Sequence, residues 1–142
     1  MSVLQLLGSA EDGGAETYFL ALVEALAGDG PAQACAIRPH AARLARLEAL
    51  AVPTRTLPFG GPLDFVTRGA VSRFAKDQEA RALIAWMNRA ASFSPMGPWG
   101  RVGRLGGYYA LKYYRGFDAL VANTRDIQAW IVAQGWPGER VR

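Results

Sequence analysis

This 142-residue chain has one cysteine, Cys35, and one histidine, His40. A single cysteine excludes an internal disulfide, and the pair excludes the Cys/His clusters that hold zinc. No apolar run is long enough to span a bilayer, and the N-terminus has no basic segment leading into a signal-like core. A cytoplasmic protein is the expectation. Two phosphate-binding fingerprints are also missing. Gly-x-Gly-x-x-Gly does not occur, and no Lys-Ser/Thr follows Gly13-Gly14 as a Walker A loop requires. Acidic residues are absent from one long interval, between Glu79 and Asp118.

What is present predicts a folded domain. Hydrophobic residues make up 51% and charged residues 20%, enough for a core in a single domain of this length. The formal charge of +4 suits an anionic partner such as a nucleotide or a phospholipid surface. Cys35 lies in the apolar run 34–37 and reads as a buried, inert thiol.

The chain is organised around residues 2–16. A short apolar run, 3–7, has the length of a buried strand, and Gly8 and Gly13-Gly14 follow as breaks. Tyr18, Leu22 and Leu26 then recur at helical spacing, so a helix is expected over 15–27 with Asp12 or a glycine as its cap. Strand, glycine turn and helix make the first half of a βαβ unit, and ligands of such sheets collect at these turns. The helix start favours an anion there, and the bare glycines let backbone N–H groups approach a phosphate.

Alternation continues along the chain. Strands are expected over 33–38, 53–59, 82–86 and 118–122. Between them lie helices opening near Pro39, with Arg43, Arg46 and Glu48 outside, and near Pro62, where Asp64 suits the positive end. Residues 94–107 read as irregular, 108–115 as helical, and 125–134 as a helix capped at Asn123-Thr124 and stopped by Gly135. The last residues, 139–142, read as a lead-in without a further strand. This order predicts a three-layer α/β domain with a mainly parallel sheet covered on both faces.

Several segments taken together resemble a known family. They are Gly13-Gly14-Ala15-Glu16, Ala85-Trp86-Met87-Asn88-Arg89-Ala90-Ala91, Gly106-Gly107-Tyr108-Tyr109, Asp118-Ala119-Leu120-Val121-Ala122-Asn123-Thr124-Arg125-Asp126, and Gly135-Trp136-Pro137-Gly138-Glu139-Arg140-Val141. In order and spacing they resemble the N-terminal half of GT-B glycosyltransferases of the retaining family 4 group, over essentially the whole chain. The resemblance implies a Rossmann-like domain over residues 1–142 that binds the acceptor, with the donor-binding domain absent. It also implies a nucleotide sugar as the intact enzyme's donor, a glycan or lipid-linked acceptor, and a chain that is silent alone. Family members carry a histidine near Asn88, and this sequence does not.

The site residues expected on this basis are few. Gly13 and Gly14 face the donor phosphate, while Asn88 and Arg89, at the carboxyl end of a strand, orient the acceptor. No catalytic side chain and no metal site is expected. Glu16 and Glu24 mimic the family's Glu-x7-Glu motif, but that motif belongs to the other half, and eight helical positions set the two roughly 80° apart. His40 reads as solvated and Thr124 as a helix cap. The basic interval interleaves cations and rings, so Trp99, Arg101, Arg104, Tyr108, Tyr109 and Lys112 are expected to touch an anionic membrane surface. No nucleic-acid motif is present. Two other readings stand beside this one: an interaction module that completes a cleft with a separate donor-binding partner, and a self-contained small-ligand-binding α/β domain. A sugar-nucleotide epimerase of the same fold is a further alternative, because fold alone does not fix the reaction.

Overall fold

In the computed structural model, which describes residues 1–142, the apolar runs become short parallel strands. They are β1 (Ser2–Leu7), β2 (Gln33–Ile37), β3 (Thr54–Thr56), β4 (Ala80–Trp86), β5 (Gly100–Leu105) and β6 (Ala119–Ala122). The helices are α1 (Gly14–Leu26), α2 (Ala41–Ala49), α3 (Thr67–Asp77), α4 (Met87–Phe93) and α5 (Arg125–Ala133). All strand pairs are parallel, in the order β3-β2-β1-β4-β5-β6. The expected three-layer α/β class therefore holds, and the sheet is doubly wound with its switch point between β1 and β4.

Right-handed crossovers place α1 and α2 over one face and α3, α4 and α5 over the other. Strand alternation divides the core accordingly. Leu7, Cys35, Ile37 and Trp86 point to the α1 side and pack with Phe19 and Val23. Leu4, Leu6, Leu83, Ala85 and Leu120 point to the opposite side, into a larger cluster. Cys35 is fully buried, and burial pushes its thiol up to about 12, so it stays protonated at neutral pH.

A buried polar chain ties the centre together. The Trp86 indole N–H donates to Gln5 Oε1 at 3.0 Å, Gln5 Nε2 to Gln33 Oε1 at 2.8 Å, and Gln33 Nε2 to the Val23 carbonyl at 2.7 Å. Three neighbouring strands and α1 are locked in one register, and the Trp86 ring has a single orientation.

Four expectations need correction. Residues 100–105, read as irregular, form β5, next to the sheet centre. The two glycines and two arginines of this segment conceal a strand because Gly103 makes room for Tyr114 and the Arg101 side chain turns inward. The helix expected over 108–115 is only a 3-10 turn, Leu111–Tyr114, preceded by irregular chain. At the other end, Val141 is fully buried and bridges in parallel to Leu120, so the last residues do begin another strand pairing. Lastly, the sheet is covered on both faces only in part. On the α1 side of β4–β6 none of these 142 residues supplies a covering helix, and Val121 is 39% exposed while its neighbour Leu120 is fully buried.

Candidate functional site

The carboxyl ends of β1, β3, β4 and β5 open on one edge of the sheet, where the expected site residues lie. The loop after β1 is held from two sides. A Cβ on Gly8 would stand 2.9 Å from Arg89 Cγ and 3.2 Å from the Ala90 nitrogen, so only glycine lets the loop lie against α4. From α2, Arg43 Nη1 donates to the Ser9 carbonyl at 2.9 Å and Nη2 to the Glu11 carbonyl at 2.7 Å. Arg43 is 1% exposed, not on the outer face expected of it. Burial lowers its pKa, and the charges of Glu16 and Asp12 oppose that shift. His40 is not simply solvated either. Its Nδ1 accepts from the Arg43 backbone N–H at 3.2 Å, capping α2, and its Nε2 lies 3.0 Å from Asp12 Oδ1.

Gly13 is the N-cap of α1 and has no side-chain cap. It is extended, at φ −137° and ψ −172°, and Gly14 has nothing within 4 Å of a Cβ position. Gly14 therefore leaves space open at the helix start, whereas a Cβ on Gly13 would stand 2.9 Å from Glu16 Oε2, and neither glycine answers a backbone demand. The first-turn N–H groups face this space. Glu16 folds back beside Gly13 and is 7% exposed, so a carboxylate already shares the helix start. Glu24, one face away, is exposed and accepts from Arg46 at 2.6 Å.

At the end of β4 the chain turns on Met87, which holds φ +65°. A left-handed non-glycine costs of order 1 kcal/mol and persists where surrounding packing imposes it. The turn brings Asn88 and Arg89 onto the ridge between two adjoining hollows, of about 330 and 640 Å³, and both residues line each hollow. Asn88 Oδ1 is buried without a hydrogen-bond partner. Arg89 is partly committed: Nη1 donates to the carbonyls of Phe59 at 3.0 Å and Gly60 at 2.7 Å, pinning the loop after β3. The smaller hollow adds Arg38 and Tyr109, and the larger adds Asp64, Arg68 and Tyr113. Nothing in the linear pattern marks Arg38, since only β1–β2 pairing brings it to this edge.

Asp64 orders the rim. Its carboxylate accepts from the backbone N–H groups of Gly60, Val66 and Thr67 at 2.8–2.9 Å, and from the Thr67 hydroxyl. The Thr67 hydroxyl, then the backbone N–H groups, hold the carboxyl well below the usual 3.8. The stabilisation is thus complete above the ordinary carboxylate range and is lost as pH falls through it toward the depressed folded value. The stability gap between the protein and its Asp64→Asn variant is expected to narrow as urea titrations are moved from pH 6 to pH 3. A constant gap would contradict this role.

The residues expected at a membrane are dispersed. Trp99, Arg101 and Arg104 are buried, at 6–8% exposure. Trp99 donates to the Pro95 carbonyl at 3.0 Å, and Arg101 to those of Ser94 at 3.2 Å and Gly116 at 2.7 Å. Both serve the fold. Tyr108 and Lys112 are exposed, Tyr108 edge-on to Trp130 at 5.4 Å, while Tyr109 is half-buried and faces the smaller hollow. No group of three or more His, Cys, Asp or Glu could hold a metal ion, and no helix is long and apolar enough to cross a membrane.

No protein-family model matches the chain. It is 33% identical over 133 residues to lipopolysaccharide core biosynthesis glycosyltransferase LpsE of Rhizobium meliloti, covering 91% of this chain and 39% of the relative. Glycosyltransferase LpsD of the same pathway and organism is 33% identical over 128 residues, covering 88% and 37%. Among solved structures, Anabaena HepE in complex with UDP-glucose matches all of this chain and 43% of its own, with TM-score 0.75 and 17% identity. A Rickettsia africae glycosyltransferase gives TM-score 0.78 and 12% identity over 99% of this chain and 41% of its own. The UDP-GlcNAc 2-epimerase of Neisseria meningitidis, bound to UDP-GlcNAc, gives 0.65 and 11% over 99% and 46%. The chain spans about two fifths of the length of the curated relatives it matches. The chain is thus similar in sequence to two lipopolysaccharide core glycosyltransferases, and it shares its fold with glycosyltransferases and a sugar-nucleotide epimerase.

Proposed function

We propose that this chain is the acceptor-side, N-terminal half of a family 4 type retaining glycosyltransferase. The intact enzyme would move a sugar from a nucleotide-sugar donor to a glycan or lipid-linked acceptor. The observation that carries this reading is the pairing of the two sequence relatives with an open strand-end cleft. Both relatives are glycosyltransferases of lipopolysaccharide core biosynthesis, matched over most of this chain but under two fifths of their own length. The cleft is a pair of open hollows joined at Asn88 and Arg89.

In such a transfer the transition state is oxocarbenium-like, and negative charge builds on the departing diphosphate. Catalysis then rests on positioning and on preorganised donors, with the acceptor hydroxyl as nucleophile. The N–H groups at the start of α1 would meet the diphosphate, with Glu16 giving way or sharing the space. Asn88 has a free amide oxygen for an acceptor hydroxyl, and Arg89 has donors beyond the one bound to Phe59 and Gly60. Nothing in the cleft activates a nucleophile of the protein's own, and the chain would be inactive by itself.

Calorimetry with UDP-sugars tests this on the 142-residue chain and on the chain joined to the remaining three fifths of an LpsE-like protein. Binding and turnover only in the joined protein are expected. Tight nucleotide binding by the 142 residues alone would overturn the half-enzyme reading and favour a self-contained binding domain.

Contact with an anionic bilayer belongs to the same proposal, on a different surface from the one expected. Leu63 and Phe65 are each 84% exposed on the loop before α3, Val66 is 64% exposed, and Arg68 and Arg89 line the hollow beside them. Apolar tips with flanking cations suit a headgroup boundary. The chain is expected to sediment with phosphatidylglycerol vesicles and to be released by salt. The double change Leu63→Ser and Phe65→Ser should abolish binding without altering the thermal midpoint; retained binding would rule this loop out.

A further inference from the structure

Arg43 and Arg101 are buried braces whose donors are committed to carbonyls of the fold. Arg68 and Arg89 are braces of another kind. Both are exposed, and both line the larger hollow of about 640 Å³, a size that suits a small-molecule site. Arg68, in the first turn of α3, donates through Nη2 to the Ser92 carbonyl of α4. Arg89, in α4, donates through Nη1 to the Phe59 and Gly60 carbonyls in the loop that leads to α3. Each arginine is thus anchored on the segment that carries the other. One nitrogen of each side chain is used this way. Nη1 and Nε of Arg68, and Nη2 and Nε of Arg89, have no partner in the fold.

Their charges are equally uncommitted. Neither guanidinium pairs with a carboxylate, and neither stacks on a ring. The charge felt near Arg68 is that of another cation: burial lowers the pKa of Arg101, Asp118 opposes that shift, and the Arg68 charge adds to it. The one carboxylate on this hollow, Asp64, has both oxygens occupied by donors of Gly60, Val66 and Thr67, and it cannot turn to either arginine without releasing the rim. The larger hollow therefore carries an excess of positive charge, two arginines against Asp64. The smaller hollow carries none, since Glu11 and Glu16 there offset Arg38 and Arg89. The anchors, the Asp64 rim and Tyr113 all lie within residues 59–113, so this chain itself shapes the larger hollow.

We propose that the larger hollow selects an anionic saccharide, an acceptor sugar bearing a phosphate or a carboxylate, with that group on the free donors of Arg68 and Arg89 and the sugar toward Tyr113. The proposal deepens the acceptor reading of this site and rests on it for the ligand's being an acceptor. Guanidinium N–H groups match oxyanions in a paired geometry, and side chains already anchored on carbonyls lose little freedom when an anion arrives. Tyr113, 39% exposed, supplies a ring for the apolar face of a sugar. Lys112 Nζ, 5.1 Å from the centre of that ring, adds a further positive charge nearby.

NMR titration of the 142-residue chain tests it, because it reads weak binding residue by residue. Four probes are compared at equal ionic strength: glucose 6-phosphate, methyl glucuronide, neutral methyl glucoside and glycerol 3-phosphate. The two anionic sugars are expected to shift the Nε–H resonances of Arg68 and Arg89 and the amides of Gly60 and Gly61 saturably, and to weaken as salt is raised. Methyl glucoside should bind roughly tenfold more weakly than either. Arg68→Gln should weaken both anionic sugars roughly tenfold, the loss of one charge-assisted contact, and leave methyl glucoside unchanged. Arg68→Lys should recover part of that loss. A merely bracing Arg68 would move the thermal midpoint and treat charged and neutral sugars alike. Should Arg68→Gln fail to fold, Arg89→Lys carries the test: it keeps the charge without the planar fork and should weaken the same two probes several-fold. No saturable shift at the two arginines, equal affinity for charged and neutral sugars, or indifference to Arg68→Gln overturns the proposal. Glycerol 3-phosphate binding as tightly as glucose 6-phosphate would make this a headgroup-phosphate site and overturn the saccharide half. UDP-glucose binding by the isolated chain, followed at the amides of Gly13 and Gly14, would remove the half-enzyme reading and leave the anion selectivity standing.

Discussion

Replacing Arg43 with methionine is expected to lower stability by about 3 kcal/mol and to release the loop after β1. Methionine retains most of the volume but none of the donors. The carbonyls of Ser9 and Glu11 lose their partners, and the acidic groups of Glu16 and Asp12 lose the cation between them. Hydrogen bonds to a charged group count for more than neutral ones, and a buried group left unpaired bears its full desolvation cost. His40 would still cap α2 through Arg43's backbone N–H, so the helix should survive while the loop loosens. Urea titration reads the first effect. Amide exchange reads the second, as lost protection over residues 9–13 with β4 and β5 unchanged. A stable variant with a protected loop would show that Gly8 packing alone orders this part of the site.

Gly103→Ala is expected to cost about 2 kcal/mol or more, a large effect for one methyl group. The added Cβ would stand 2.4 Å from Tyr114 Cδ1 and 2.8 Å from Leu120 Cδ2. Tyr114 has nowhere to retreat: it is fully buried and lies 5.5 Å, ring to ring, from Phe117. Its hydroxyl has no partner, and burial, with Tyr109 adding to it, pushes the phenol upward. Gly14→Ala is the control. Its Cβ meets nothing within 4 Å and its residue opens a helix, so stability should hold or rise slightly, by up to about 1 kcal/mol. If thermal melts rank the two variants in the opposite order, the packing of Tyr114 on β5 is not as described.

These contrasts show how far the linear pattern reaches. Residues 3–7, Gly13-Gly14 and the helical spacing of the next residues were sufficient for β1 and α1, to within a residue or two at each end. Thr124 was legible as a cap, and it accepts from the Ile127 N–H at 3.2 Å. Asn88 and Arg89 were legible as strand-end residues and do meet at the cleft. Strand β5 was not legible. Its glycines and arginines have the composition of a loop, and pairing with β4 and β6, with Tyr114, Phe117 and Asp118 of the following segment set against it, makes them a strand.

Parallel α/β class and the place of the cleft follow from local order, because a run of apolar residues, a glycine break and a helical period each act within a few neighbours. The fate of the polar groups does not follow from it. Arg43, Arg101 and Arg104 have one side chain and three environments: one fastens a loop, one braces a strand, and one stacks on two rings without a hydrogen-bond partner for its Nη1. What separates them is the set of carbonyls and rings that distant parts of the chain bring within hydrogen-bonding or stacking distance. Desolvation makes that set decisive, since a guanidinium in water needs no particular partner and a buried one does.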